Sequence, residues 1–255
     1  MKLRLDKLLT DRGLAPSRER AQAMILAGRV LVNEQKITKA GTAVEGSAPI
    51  RLLGDDMPYV SRGGLKLAHA VAHWHIDCHN KTALDIGAST GGFTDCFLQH
   101  GAARVIAVDT GYGQIDSRLR NDPRVRLLER TNARYLEPEL IPEDIDLIAM
   151  DVSFISATLV LPAVLRTVQE GKSRHRRDLV LLVKPQFEVG RERVGKGGIV
   201  RDAAAQLDAI AKVRAAVEEL GGKQIEVTDS PILGTEGNKE FLLHAVFGVS
   251  REPEA

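Results

Sequence analysis

The stretch from residue 82 to residue 95, TALDIGASTGGFTD, joins an apolar strand pattern to a turn of small residues and the start of a helix. A strand followed by such a turn is the first half of a βαβ unit, from which parallel sheets are built. Small residues let a ligand approach the backbone, and the free N–H groups at the start of a helix bind polar atoms. The spacing differs from the dinucleotide pattern G-x-G-x-x-G, so the sequence disfavours a nicotinamide cofactor.

The same alternation of strand and helix patterns continues toward the C-terminus. We predict strands at 82–86, 104–108, 125–128, 145–150, 179–183, 224–227 and 241–246, and helices at 92–100, 156–169 and 202–220. This order predicts an α/β domain whose mostly parallel sheet carries helices on both faces. We call the turn of small residues at 87–92 the glycine loop. Asp109 ends the second strand, about twenty residues after this loop, where an acidic residue can accept hydrogen bonds from ribose hydroxyls.

The first 57 residues have a different pattern and a basic charge. Residues 1–40 carry nine Lys or Arg against four Asp or Glu, although the whole chain has a net charge of only +1. Two short helices are predicted, the second capped by Ser17, followed by strands at 30–32, near Val44 and at 50–53. Their inward positions are Leu5, Leu8 and Leu9 on the first helix and Ala21, Met24, Ile25 and Ala27 on the second. The positive charge indicates a polyanionic partner or, equally, an ordinary solvated helix surface.

The composition disfavours a disulfide-rich, metal-binding, secreted or membrane-spanning protein. The two cysteines, Cys78 and Cys96, are too few for a disulfide framework or a zinc site, which predicts passive thiols in a reducing compartment. Neither a signal peptide nor an uncharged apolar run of about 18 residues is evident, so we expect a cytoplasmic chain without a membrane span. Four histidines lie close together at 69, 73, 75 and 79, but they do not share one helical face, and we expect no metal site.

The N-terminal segment resembles the S-four RNA-binding domain. The resemblance is carried by RLDKLLTDRGLAPSRERAQAMILAGRVLVNEQKI, residues 4–37. It implies a small α+β domain that docks on structured RNA through its two helices, with Lys7, Arg18 and Arg20 contacting phosphates. A helical dimerisation or regulatory domain is the alternative.

The remaining motifs resemble the TlyA family, whose members join an S-four domain to an FtsJ-like methyltransferase domain. The matching stretches are GASTGGFTD, GYGQ, RNDPRV, LERTNAR, MDVSFIS, LVKPQFEVG and SPILGTEGNKEFL. The resemblance implies a Rossmann-like class I methyltransferase sheet, mostly parallel with an antiparallel last strand. It divides the chain into an S-four-type domain at 1–57, a linker at 58–64 and a catalytic domain at 65–250. The implied reaction is S-adenosylmethionine-dependent methylation of a ribose 2′-hydroxyl in ribosomal RNA or a ribosomal subunit.

Site residues follow from the same resemblance. The catalytic Lys-Asp-Lys-Glu set corresponds to Lys66, Asp151, Lys184 and Glu240, of which Glu240 has a competitor in nearby Glu236. The expected S-adenosylmethionine contacts are Asp85, Gly87, Ser89, Thr90, Gly91, Gly92, Phe93, Asp109, Asn132 and Ala133. Further RNA contacts are expected from Arg62 and from the glycine-rich loop at 190–201, through Arg191 and Lys196; a solvated flexible loop is the alternative there. Ser89-Thr90 departs from the general FtsJ pattern, which often has a proline before the paired glycines.

Lys184 is the expected central group. It acts either as the general base in its neutral form or as a cation that stabilises the developing alkoxide. Lys66 beside it would favour the neutral amine by like-charge repulsion, whereas Asp151 and Glu240 would oppose that effect. The sequence leaves both roles open.

Three other functions compete with this interpretation. A membrane-active hemolysin is suggested only by the historical name of the family and requires an apolar or amphipathic segment. An RNA-binding assembly factor without activity would not need the glycine loop, Asp109 and the Lys-Asp-Lys-Glu set. In a small-molecule methyltransferase the basic N-terminal domain would be superfluous.

Overall fold

The computed structural model describes residues 2–53, 57–170, 175–234 and 236–248. Contacts divide the chain into two compact units, Met1–Met57 and Pro58–Ala255. Residues 54–56, near the end of the predicted S-four-type domain, lie outside the described residues. So do residues 249 and 250, at the end of the predicted catalytic domain.

The first unit is a small α+β fold. Its elements in chain order are β1 (Lys2–Arg4), α1 (Leu5–Asp11), α2 (Arg18–Leu26), β2 (Val30–Val32), β3 (Gln35–Ile37), β4 (Ala43–Glu45) and β5 (Ile50–Leu52). Strands β3, β2 and β5 form an antiparallel sheet in that order, and β1 pairs with β4. Ser17 caps α2 as predicted, because its side chain accepts a hydrogen bond from the Arg20 N–H. Ala27 is exposed, contrary to the predicted inward position, because α2 ends one residue earlier.

The second unit alternates strands and helices. Its elements are α3 (Gly63–His73), β6 (Thr82–Ile86), α4 (Gly92–Gln99), β7 (Arg104–Val108), α5 (Ser117–Arg120), β8 (Val125–Leu128), β9 (Leu147–Met150), α6 (Ala157–Gln169), β10 (Arg177–Val183), α7 (Pro185–Glu188), α8 (Ala203–Glu219), β11 (Lys223–Asp229) and β12 (Phe241–Phe247). Helix α3 begins at Gly63, so the last two residues of the predicted linker are helical. Among the described helices, none is both long and apolar enough to cross a membrane.

The strands of this unit form one seven-stranded sheet in the order β11-β12-β10-β9-β6-β7-β8. Strand β12 alone runs antiparallel, because it pairs in that sense with both β10 and β11. This confirms the predicted mostly parallel sheet with an antiparallel last strand. The apolar residues of β6, β7 and β9 alternate between two cores, one on each face of the sheet. Helix α3 buries Leu67, Ala70 and Val71 in the second of these cores, and Ala72 is exposed.

The strand order reverses direction between β6 and β9, because β7 follows β6 on one side and β9 lies on the other. Open α/β sheets bind ligands in the crevice outside the carboxyl ends of the strands at such a point. The fold therefore predicts a ligand site among the residues that follow β6, β7 and β9.

Candidate active site

A cavity of about 310 Å³ lies at this reversal of strand order. The carboxyl ends of three strands line it, with Gly87 after β6, Asp109 after β7 and Asp151 after β9. The other predicted cofactor residues on its wall are Ser89, Asn132 and Ala133. Because these positions are distant in sequence, the sheet topology brings them together.

Asp109 fixes two loops of this cavity. One carboxylate oxygen accepts a hydrogen bond from the Ser89 N–H at 2.8 Å, and the other accepts one from the Gly111 N–H at 2.6 Å. Each carboxylate oxygen can accept more than one hydrogen bond, so Asp109 can still accept hydrogen bonds from ribose hydroxyls. Asp109 thus holds the glycine loop beside the place where it would bind the ligand.

Five of the predicted cofactor residues do not line the cavity. These are Asp85, Thr90, Gly91, Gly92 and Phe93. The paired glycines are buried for reasons of packing: a side chain at Gly91 would overlap Leu119, and one at Gly92 would overlap Ser61. Phe93 is buried in the core. The second half of the loop therefore packs the start of α4 against α3 and α5, and its expected contact with a ligand stays a prediction.

Asp85 lies fully buried beneath the loop rather than on the cavity wall. The Thr94 hydroxyl donates to one of its oxygens at 2.6 Å, and the other oxygen has no partner among the described residues. Burial raises the pKa of Asp85 to about 7, with smaller contributions from Asp151 and Asp109. The side chain fixes the start of α4 from within the core.

Lys184 and Asp151 form an ion pair at the ends of β10 and β9. Their charged atoms, Nζ and Oδ1, are 2.5 Å apart, and the lysine also donates a hydrogen bond to the Ser153 hydroxyl at 2.7 Å. Only 11% of the Lys184 side chain is exposed. The two charged groups are therefore in direct contact at the carboxyl edge of the sheet.

The second pair of the predicted set is equally close. Lys66 of α3 donates a hydrogen bond to Glu240 at 2.5 Å, and both side chains are buried. Glu240 immediately precedes β12, which confines it to the carboxyl edge of the sheet. Because Lys66 is neutralised by its own carboxylate, the expected repulsion of Lys184 by Lys66 is weakened.

A second cavity, of about 520 Å³, adjoins the first. Lys184, Glu240 and the competitor Glu236 line it, and Ser153 and Phe154 belong to the walls of both cavities. Asp151 lines the first cavity and Lys184 lines the second, so their ion pair lies at the boundary. This arrangement suits a transfer between a donor in one cavity and an acceptor in the other.

Phe154 is a site residue that the sequence analysis missed. Its side chain is 92% exposed and its backbone φ is +63°, a conformation that costs energy and occurs preferentially at functional sites. Phe187, after Lys184, lies 5.3 Å away between ring centroids. A signal was available in MDVSFIS, because ligands of open α/β sheets bind beside the loops that follow the carboxyl ends of the strands.

Exposed aromatic rings collect at this edge of the sheet. Of the ten aromatic residues, only Tyr112, Tyr135 and Phe154 among those described have exposed side chains. They follow β7, β8 and β9 in turn. Arg130 lies over the Tyr112 ring at 4.3 Å. Rings and guanidinium groups in such positions suit the stacking of nucleic acid bases.

The predicted RNA-binding cations are mostly exposed. Lys7 lies on α1, Arg18 and Arg20 lie on α2, Arg62 precedes α3, and Arg191 and Lys196 lie in two short 3₁₀ turns at Arg191–Arg193 and Lys196–Gly198. Arg193, between them, is paired with Asp208 and Asp202. Across the described ranges, no group of His, Cys, Asp and Glu is arranged to hold a metal ion.

Comparison with known proteins identifies both units. The FtsJ-like methyltransferase family model matches residues 59–247, and the S4 domain model matches residues 3–50. A candidate rRNA methyltransferase of Bacillus subtilis, YqxC, is 46% identical over 95% of this chain and 85% of its own length.

Two further relatives agree. The Mycobacterium tuberculosis protein named 16S/23S rRNA (cytidine-2′-O)-methyltransferase TlyA is 44% identical over 94% of this chain and 88% of its own length. A solved candidate hemolysin from Streptococcus thermophilus is 41% identical, with a TM-score of 0.73 over 96% of this chain and 88% of that one. The chain therefore belongs to the FtsJ-like methyltransferase family and carries an S4 domain ahead of its catalytic unit.

Proposed function

We propose that this protein methylates the ribose 2′-hydroxyl of a cytidine in ribosomal RNA, with S-adenosylmethionine as the methyl donor, in the cytoplasm. The observation that carries the proposal is the Lys184–Asp151 ion pair at the boundary between two adjoining cavities. The rRNA (cytidine-2′-O)-methyltransferase name of a 44% identical relative supports this substrate.

The first cavity fits the methyl donor. Asp109 offers carboxylate oxygens for ribose hydroxyls, and Asn132 with Ala133 would flank the adenine. Gly87 and Ser89 would accommodate the methionine end, with Gln114 and Thr131 as further wall residues. When bound, S-adenosylmethionine supplies a methyl group already activated by a positively charged sulfur.

The chain must therefore supply orientation and the loss of a proton. Transfer of that methyl group to the 2′-oxygen would leave S-adenosylhomocysteine and one hydroxyl proton, which would pass to the Asp151 carboxylate and from there to water. A ribose hydroxyl in the second cavity would meet Lys184 and Asp151 at its entrance. In the proposed role, the Lys184 cation stabilises the developing alkoxide, while the Asp151 carboxylate accepts a hydrogen bond from the hydroxyl.

The Lys66–Glu240 pair supports this arrangement from the far wall. Because both side chains are buried and joined at 2.5 Å, they form a rigid link between α3 and the start of β12. Glu240 presents its carboxylate to the second cavity and would orient the ribose.

RNA would reach this site along the exposed aromatic and basic residues. Phe154 would stack on the target base. The proposed phosphate contacts are Lys7, Arg18, Arg20, Arg62, Arg191 and Lys196.

The test is single-turnover transfer of labelled methyl from S-adenosylmethionine to ribosomal RNA by wild type, Lys184→Arg and Lys184→Met. Arginine retains the cation but cannot act as a base, whereas methionine removes the charge at similar length. We expect Lys184→Met to lose roughly a hundredfold or more in rate, and Lys184→Arg to stay within roughly tenfold of wild type.

Binding of S-adenosylmethionine is the control, because Lys184 does not line the donor cavity. Equal inactivity of the two variants with normal donor binding would refute the cationic role and identify Lys184 as the base. Transfer to no RNA by the wild type would refute the proposed function itself.

A further inference from the structure

Asp6 is an acidic side chain buried inside the basic N-terminal unit. Its exposed fraction is 0%, and no other charged residue among those described in this unit is buried. Burying a carboxylate is costly unless hydrogen bonds compensate it. Its partners therefore indicate why it is there.

The two oxygens of Asp6 accept five hydrogen bonds. Arg4 donates two, through Nε at 3.0 Å and a terminal nitrogen at 2.9 Å; Arg18 Nε donates at 3.1 Å and the Gln22 amide at 2.9 Å. The fifth comes from the backbone N–H of Lys7. The carboxylate thus joins β1, α1 and α2. The Arg4 guanidinium, with Gln22 and Arg18, holds the pKa of Asp6 well below its ordinary value, so the group is charged at neutral pH.

The two arginines remain half exposed, at 53% of each side chain. The described contacts of Arg18 engage only its Nε, which leaves both terminal nitrogens for another acceptor. A guanidinium fork matches a phosphate group in geometry and charge. Side chains already fixed in one rotamer lose less entropy when they bind.

We infer that Arg4, Arg18 and Gln22 form a preorganised docking surface for the phosphate backbone of RNA, with Asp6 as the positioning residue beneath it. Arg4 is a contact that the sequence analysis did not assign. The inference rests on the proposed RNA substrate and specifies how the N-terminal unit holds it.

The direction in which the affinity for RNA changes separates this positioning role from general electrostatic attraction. Asp6→Asn makes the unit more positive by one charge, and so does Asp11→Asn on the exposed end of the same helix. General attraction to a polyanion would strengthen RNA binding equally in both variants. Loss of preorganisation would weaken it in Asp6→Asn alone.

The experiment measures binding of the full chain to 16S and 23S rRNA transcripts on filters across a series of KCl concentrations. We expect Asp6→Asn to bind roughly three- to tenfold more weakly than wild type. Asp11→Asn should bind at least as tightly as wild type. Thermal unfolding of both variants establishes that they are folded. Binding by a folded Asp6→Asn as tight as that by Asp11→Asn would overturn the inference.

A second variant tests the coupling directly. Arg18→Lys keeps the charge but removes the guanidinium fork. We expect it to weaken binding in the wild-type background and to have little further effect in Asp6→Asn. An equal cost in both backgrounds would overturn the inference.

If Asp6→Asn does not fold, Arg18→Lys and Gln22→Ala carry the test, and unchanged affinity in both overturns the inference. A wild-type chain that binds neither transcript would instead count against the proposed function.

Discussion

Asp85 combines complete burial with only one hydrogen-bonding partner for its two oxygens among the described residues. Burial raises its pKa to about 7, so the folded state binds a proton that the unfolded state releases above a pH of about 4. The contribution of this carboxyl to stability is therefore fully present below about pH 4, falls as the pH rises toward 7, and is level above that.

Asp85→Asn removes this titration. We expect the variant to gain stability relative to wild type as the pH rises from 4 to 7, measured by urea unfolding of the ligand-free protein. Asp11→Asn, on an exposed helix end, controls for the loss of a carboxyl group. If the free energy of unfolding depended on pH in the same way in Asp85→Asn and wild type, the raised pKa of Asp85 would be contradicted.

Phe154 is the second single residue on which a prediction rests. Its exposed ring is expected to stack on the target base. Phe154→Ala should reduce kcat/KM for RNA by roughly 5- to 150-fold, the value of one stacked base, and change stability by less than about 0.5 kcal/mol. Steady-state kinetics and thermal unfolding measure the two effects. Leu159→Ala, also exposed but outside both cavity walls, is the matched control. Equal kinetics of the two variants would exclude the stacking role.

Single residues could be placed at the carboxyl edge of the sheet from the sequence where they end a strand. Asp109 and Lys184 could be located because they end parallel strands, and the carboxyl ends of such strands share one edge. The packing of Gly92 against Ser61 and of Phe93 in the core could not be predicted, since the sequence does not reveal which neighbour approaches a small residue. The role of Asp6 could not be predicted, because Arg18 and Gln22, two of its four partners, lie on a helix that meets it only in the folded unit.

At the scale of the element, the turn after β6 lies against Asp151, the proposed catalytic aspartate. Gly87 has φ +85°, and a Cβ there would overlap the backbone carbonyl oxygen of Asp151. The glycine thus allows β6 and β9 to approach closely at their carboxyl ends. A larger residue must displace one of the two loops.

Gly87→Ala is expected to lose about 1–3 kcal/mol of stability and most methyl transfer, because Asp151 moves. Gly113→Ala supplies a matched control, since Gly113 also has positive φ but a Cβ there would contact nothing within 4 Å. Urea unfolding and transfer assays compare them. Retained activity in Gly87→Ala would show that the approach of Asp151 does not require glycine.

Elements were predictable in proportion to their periodicity and burial. Strands β6, β7 and β8 have the predicted bounds, whereas β9 begins two residues later and β10 two residues earlier than predicted. Helix α7 was missed because four residues after Lys184 carry no periodic signal and begin with proline. The pairing of Lys66 with Glu240 depends on how α3 meets β12, which no local pattern specifies.

At the scale of the whole molecule, the proposal places methyl transfer in the second unit and part of the RNA binding in the first. A chain that begins at Pro58 should keep its affinity for S-adenosylmethionine, because every residue of the donor cavity lies in the second unit. Its affinity for ribosomal RNA should fall, and with it the dependence of binding on salt, since the basic residues 1–40 are removed. Calorimetry and filter binding measure the two affinities. Unchanged RNA binding would mean that the second unit alone recognises the substrate.

The central claim is that the methyl group goes to a ribose oxygen of ribosomal RNA. The most direct measurement transfers labelled methyl from S-adenosylmethionine to purified ribosomal subunits and to free rRNA, then digests the RNA to nucleosides and separates them. We predict label in 2′-O-methylcytidine with the wild type and none with Lys184→Met. Label on a base, or no label on any RNA despite measurable binding of S-adenosylmethionine, would contradict the account.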